Sequence, residues 1–365
     1  MPAVSSETGV PAYMRAAVYR GDSTVEVEEV PTPRIGPGEL LIRVEACGVC
    51  HTDLKKVEHN LLAPPRIYGH ETAGVVVGTG RAVNRYAPGD RVVVFHHIPC
   101  GNCFYCHHKL YAQCPKYKQV GVTAGFEPAG GGFSQYVRVM DWIVERGVEK
   151  IPDGISFEEA SFVEPVNTCV KAVAQCAPGA SDVALVMGQG PIGLIFTMLA
   201  ARLSATVVAT DTIPSRLALS RRCGARYAWD PRNHDIAAET KQLTDGRGAD
   251  IVILATSARG LVEEAVRCSR PGAKILLFAQ TSDTERIELS GASICVGERM
   301  LFGSYSASVD FQAESANLVF KREIPVELLI SHRVPLAKIN SAFDLALHPS
   351  EGSLKIIVEP QRRAE

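Results

Sequence analysis

Residues 183–193 read VALVMGQGPIG. Val183 to Met187 form an unbroken apolar run, as a strand covered on both faces requires. Gly188, Gly190 and Gly193 then spell G-x-G-x-x-G, and Pro191 and Ile192 open the helical pattern PIGLIFTMLAARL over 191–203. Strand, glycine turn and helix in that order are the context in which this motif holds a dinucleotide. Gly188 permits the tight turn, Gly190 lets the backbone approach a pyrophosphate, and Gly193 lets the helix pack on the strand. The helix N-terminus offers N–H donors to the anion. Asp211 ends the next strand, ATVVAT, at about the 20-residue spacing expected of an acid on the ribose hydroxyls. Together these residues predict bound NAD. Arg216 is placed to cover the adenosine ribose, an exposed helical arginine being an equally good reading.

Moving outward, the rhythm continues through PSRLALSRRCG (214–224), IVILAT (251–256), GLVEEAVRCS (260–269) and AKILLFA (273–279). Buried strands alternating with helices predict a parallel, doubly wound sheet, a Rossmann domain over 166–319. The N-terminal texture differs. LLIRVEACGV, TAGVVVG and DRVVVF are short apolar runs punctuated by turn residues, which read as strands. The expected class is therefore α/β plus β, with a β-rich domain over 14–165 and 320–365. ISHRVPLAKINSAFDLAL and SLKIIVEP read as a helix and a strand returning to that domain. Residues 1–13 read as a mobile tail.

A chain of 365 residues suits two cores, and a formal charge of −2 from 38 basic and 40 acidic residues leaves no footprint for nucleic acid or an anionic membrane. The longest apolar stretch, Ile192 to Ala201, falls far short of the roughly 20 residues that span a bilayer. The N-terminus lacks the layout of a signal peptide, so the 11 cysteines read as thiols in a cytoplasmic setting. A small molecule is the expected partner.

In CGNCFYCHHKLYAQC, Cys100, Cys103, Cys106 and Cys114 are separated by two, two and seven residues. Four thiolates so spaced suit tetrahedral zinc with no open position, a structural site in a lobe over 96–116. The neighbouring His96, His97, His107 and His108 read as surface histidines. A nucleic-acid-binding zinc ribbon is the rival reading, disfavoured by the neutral charge. A looser constellation comprises Cys50 in ACGVCHTDL and His70 and Glu71 in YGHETAG. An incomplete mixed set leaves room for water or substrate, the mark of a catalytic zinc, an ordinary core cysteine and a satisfied histidine being an equally good reading of these residues taken alone.

The order CGVCHTD, GHE, four-cysteine lobe, EP and G-x-G-x-x-G resembles the zinc-containing medium-chain dehydrogenases from about Met14 to Pro360, and is most similar to their sorbitol and threonine dehydrogenase branch. The resemblance implies a GroES-like catalytic domain beside the Rossmann domain, with an active site in the cleft between them. It carries over Cys50 and His70 as catalytic-zinc ligands and Glu71 as a ligand or close neighbour. Glu164, in SFVEPVNTC, stands where alcohol dehydrogenases have a third, cysteine ligand, and that substitution points to polyols. Cys169 reads as packing. The resemblance makes Asp53 the acid that orients the ligating imidazole and Thr52 the hydroxyl that receives the substrate's proton. It puts His51 beside the pyrophosphate and Thr168 against the nicotinamide. Lys55 stands where many members have a relay histidine, and His59 does not replace it. It further implies a homodimer or homotetramer joined near MLFGSYS. Polyol or secondary-alcohol oxidation by NAD is the main expectation, with an aldose or L-threonine dehydrogenase, or a non-catalytic zinc and nucleotide binder, as alternatives.

Overall fold

The computed structural model describes residues 9–126, 129–203, 205–279 and 286–363. The chain divides into two compact units, one of Met1–Glu164 with Ser308–Glu365 and one of Pro165–Ala307. The second junction therefore falls earlier than residue 320. Helix Gln312–Phe320 belongs to the first unit, where Arg322 just beyond it pairs with Glu159 at 2.7 Å.

The second unit holds a six-stranded sheet whose neighbouring strands all run parallel. Its spatial order is Tyr227–Trp229, Thr206–Thr210, Val183–Met187, Ala249–Leu254, Ser269–Leu277, Met300–Gly303. In chain order this is 3-2-1-4-5-6, the doubly wound arrangement with a switch point beside the first strand. Val183–Met187 is buried throughout because helices cover both faces of such a sheet. Helix Pro191–Arg202 starts where the fixed φ of Pro191 suits a first helical residue, and its residues Gly193 to Ala200 are buried.

In the first unit, a mostly antiparallel sheet is centred on Leu40–Gly48, which pairs with Glu71–Thr79 on one side and with Lys355–Glu359 and Tyr136–Val139 elsewhere along its length. Arg91–Val94 extends it beyond Glu71–Thr79. A separate two-stranded sheet pairs Tyr13–Gly21 with Thr24–Pro31. Two sequence readings change here. Residues 1–8 of the expected tail lie outside the described residues, but the chain is already tied down before residue 13: Val10 packs on the core and the Thr32 N–H donates to the Ala12 carbonyl at 2.9 Å. The segment ISHRVPLAKINSAFDLAL is not one helix. Its first six residues form strand Ile330–Pro335, parallel to Lys355–Glu359, and only Ile339–Leu347 is α-helical. Pro335 closes the strand because it has no N–H to continue the ladder. Among the described residues no helix is long and apolar enough to cross a membrane.

Candidate active site

Strands Leu40–Gly48 and Glu71–Thr79 pair with Gly48 opposite Glu71. That register determines the site. Cys50 follows the end of one strand and caps helix His51–Glu58, while His70 immediately precedes the other and Glu71 opens it, so residues 20 apart in sequence meet. One ligand atom from each of Cys50, His70 and Glu71 lies within 4.8 Å of the others. The His70 Nδ1 is 3.0 Å from Asp53 Oδ1, and both residues are buried. Burial alone would keep the His70 ring neutral, but Asp53 and Cys50 outweigh it and hold its pKa well above the ordinary histidine range. A metal taken up here must therefore displace a proton.

Glu164 sits at the start of helix Val163–Cys176, 6% exposed. It is outside the three-residue set but close enough for its charges to act. Burial and Glu71 push its carboxyl up to about 7, against the pull of His70 and Lys355.

Sequence reasoning missed Lys355. It opens the strand that flanks Leu40–Gly48 and is 6% exposed. Its Nζ donates to Glu71 Oε1 at 2.6 Å, contacts Oε2 as well, and donates to the Val49 carbonyl at 3.1 Å. A Cβ at Gly48 would fall 1.9 Å from Glu71 Oε2 and 2.8 Å from Lys355 Cε, so only glycine leaves room for this pair. The one clue in the sequence was a lysine opening the otherwise apolar run KIIV.

The four-cysteine set forms where expected. Cys100 to Cys106, Cys103 to Cys106 and Cys114 to Cys100 are 3.8, 3.6 and 3.6 Å apart at sulfur. A tetrahedral ion with bonds of about 2.3 Å sets its ligands about 3.8 Å apart, so the sulfurs already have zinc spacing. The backbone N–H groups of Cys100 and Tyr117 help bring the Cys114 thiol down to about 6 although burial opposes it. His107 and His108 are exposed, as expected. His96 and His97 are not surface residues. Both are partly buried, with the His96 ring tilted at 43° against His70 and the His97 ring stacked on Tyr117. Burial, reinforced by the charges of His70 and Lys56 and, for His96, by that of His97, lowers their pKa values, that of His97 to about 3.

In the second unit Gly188 has φ +91°, and a Cβ at Gly193 would stand 1.8 Å from the Gly188 carbonyl oxygen. Helix and turn touch only because both are glycine. Above Gly190, which caps the helix without a side chain, the nearest atom to an added Cβ is Arg216 Nη1 at 3.9 Å. The space over Gly190 at the helix N-terminus is thus open beside a guanidinium, which suits a pyrophosphate. Asp211 is fixed by two backbone donors, Gln189 N–H at 2.6 Å and Ile213 N–H at 2.9 Å. Thr168 donates to the Pro165 carbonyl at 2.8 Å, and Cys169 is fully buried. His51 is exposed and Thr52 half-buried on the helix that Cys50 caps, with Lys55 one turn on; His59 pairs with Glu58 at 3.9 Å.

Comparison with known proteins follows the same division. The model of the alcohol dehydrogenase GroES-like domain matches residues 36–153, and that of the zinc-binding dehydrogenases matches 191–320. The chain is 29% identical over 365 residues to sorbitol dehydrogenase of Bacillus subtilis (strain 168), covering 97% of this chain and 99% of the relative. It is 30% identical over 342 residues to D-arabitol-phosphate dehydrogenase of Enterococcus avium, covering 91% and 92%. A protein of Sinorhizobium meliloti 1021 described as a zinc-binding dehydrogenase, solved bound to NADP, superposes with a TM-score of 0.86 at 27% identity, covering 96% of this chain and all of that one.

Proposed function

Given that the chain belongs to the zinc-binding alcohol dehydrogenase family with a GroES-like domain, we propose that it oxidises a polyol or other vicinal secondary alcohol with NAD, using one catalytic and one structural zinc. The observation that carries this reading is the pairing of a closed four-sulfur set with an open Cys50, His70, Glu71 set in a single chain.

A metal in the open set supplies the polarisation that lets a hydroxyl ionise near neutral pH; for water the change from pKa 15.7 to about 7 amounts to roughly 12 kcal/mol. A hydrogen bond to Thr52 is worth at most about 3 kcal/mol, so the role of Thr52 is to receive the proton. Asp53 fixes the tautomer and orientation of His70, and Lys355 holds the Glu71 carboxylate. Glu71 and Glu164 make the surroundings rich in oxygen, which suits a second substrate hydroxyl. In the second unit the amides over Gly190, with Pro191 and Ile192 opening the helix, hold the pyrophosphate, and Thr168 contacts the nicotinamide; His51 contributes to the cofactor phosphates. Arg216 is assigned to the same phosphates or the adenosine ribose.

NAD is preferred because a 2'-phosphate would meet Asp211, at a cost of roughly 2 to 7 kcal/mol for charges of two and one about 5 Å apart. Arg216 and the two amides on Asp211 reduce that cost. The edge strand Met300–Gly303, with Met300 and Tyr305 exposed, is the face through which copies of the chain pair.

The test is NADH formation from a panel of vicinal diols, longer polyols, mono-alcohols, aldoses and threonine, repeated with NADP. A diol should exceed its mono-alcohol counterpart in kcat/KM. Butanol outperforming every polyol would overturn the substrate assignment, and equal efficiency with both cofactors would show that Asp211 does not face the ribose.

A further inference from the structure

The four-cysteine lobe begins just after His96 and His97 and ends just before Tyr117. Those three residues, two at its entry and one at its exit, form a ladder of rings. Centroids are 4.9 Å apart between Tyr117 and His97, 4.0 Å between His97 and His96, and 4.8 Å between His96 and His70. The Tyr117 and His97 planes are stacked at 29°. At the far end Tyr117 is 4% exposed and packs in one cluster with Cys106 and Cys114, while its backbone N–H donates to the Cys114 sulfur. At the near end the ladder meets a ring whose edge is already held by Asp53. The backbone of His96 is anchored too, since its carbonyl accepts the Gly121 N–H at 3.0 Å.

We propose that this ladder makes the closed lobe a positioning device for the open set: Tyr117 and His97, through His96, fix the plane of the His70 imidazole that binds the catalytic metal. Asp53 holds one nitrogen of His70 and leaves rotation about that hydrogen bond free. The His96 ring, tilted at 43° against the imidazole with its centroid 4.8 Å away, blocks that rotation. The lobe's four sulfurs join its entry and exit, so they also hold the ladder's two ends in register. His97 and Tyr117 touch neither the open set nor its substrate in this account and act only through His96. Ring pairs of this kind contribute enough for one broken rung to change an equilibrium or rate by up to roughly tenfold.

The proposal rests on the metal assignment above, and the experiment separates the two. Zinc-loaded wild type and the variants His97→Leu, Tyr117→Leu and Tyr117→Phe are diluted into a chelator, and zinc release is followed in time beside the melting temperature and the kcat and KM of the alcohol reaction. Wild type should release two zincs in two phases. In both leucine variants the phase belonging to the open set should quicken about tenfold with a lower kcat, while in His97→Leu the lobe's phase and the melting temperature stay close to wild type. Tyr117→Phe keeps the ring and should behave as wild type. Open-set release within twofold of wild type in both leucine variants would overturn the ladder while leaving the metal assignment standing. So would a Tyr117→Phe variant as impaired as Tyr117→Leu, because the hydroxyl and not the ring would then be responsible. A wild type with a single zinc phase would instead remove the metal assignment. A leucine variant that fails to fold is replaced by the other, since the two break different rungs.

Discussion

Cys100, Cys103, Cys106 and Cys114 lie in one short stretch and need little outside it to face one another, whereas Cys50, His70 and Glu71 meet only because two strands pair in one register. The closed set is all sulfur and draws its ligands from within one lobe. The open set leans on residues from elsewhere: Asp53 behind His70, Lys355 from the C-terminal strand on Glu71, and Gly48 beneath the pair. The contrast teaches that a site built to hold a metal can be local, while a site that leaves a position for substrate must fix each ligand from outside, since the metal's own geometry no longer does so.

Substituting one ligand in each set should separate their roles most sharply. Cys50→Ser is expected to lower kcat by about 10³-fold or more with little change in melting temperature, since the lost step is the polarisation of the substrate. Cys103→Ser should do the reverse, lowering the melting temperature by on the order of 10 °C while the folded fraction still turns over. Thermal melts and steady-state rates on the two variants check this, and parallel losses in both would erase the distinction.

The next largest effect falls on Lys355. Lys355→Met leaves Glu71 as an uncompensated charge in a buried place, and breaking such a pair costs about 3 to 5 kcal/mol. Chemical denaturation of the metal-free protein reads it. A loss below about 1 kcal/mol would mean that water reaches the pair and that the open set does not depend on the C-terminal strand.

Asp53→Asn should weaken zinc at the open set roughly 10- to 100-fold. It has a pH signature as well. In the metal-free protein the pKa of His70 is raised, so His70 contributes stability that is fully present below about pH 6.5, its ordinary value, and is lost as pH rises through the raised value. Without the carboxylate the largest cause of that rise is lost and the contribution shrinks. Zinc uptake at neutral pH should accordingly release about one proton fewer in Asp53→Asn than in wild type, as measured by calorimetry in buffers of different ionisation enthalpy. Equal proton release would show that His70 is already neutral in the metal-free wild type.

Legibility in the sequence followed the same line between local and dispersed. VALVMGQGPIG could be read residue by residue because strand, turn and helix are contiguous and each glycine has its own steric reason, which the Gly188 and Gly193 contacts display. The cysteine lobe was legible by spacing. The open set was legible in Cys50, His70 and Glu71 as a competent mixture of ligand types, but resemblance was needed to choose it over ordinary core residues, because strand register is not written in either segment alone. Lys355 gave no motif, since what makes it functional is a neighbouring strand rather than neighbouring residues. His96 and His97 were misread as surface groups because a polar pair beside a turn looks the same in sequence whether or not other rings pack against it. The strand at Ile330–Pro335 was missed because its partner lies beyond the helix that follows it.

The two sets can be compared directly by counting zinc and activity together as a chelator removes metal from the fully loaded protein. Two zincs per chain are expected, with alcohol oxidation lost in step with the first while the melting temperature holds, and the melting temperature falling only with the second. One zinc per fully loaded, active chain, or activity that survives removal of the first zinc, would contradict the division into an open catalytic set and a closed structural one.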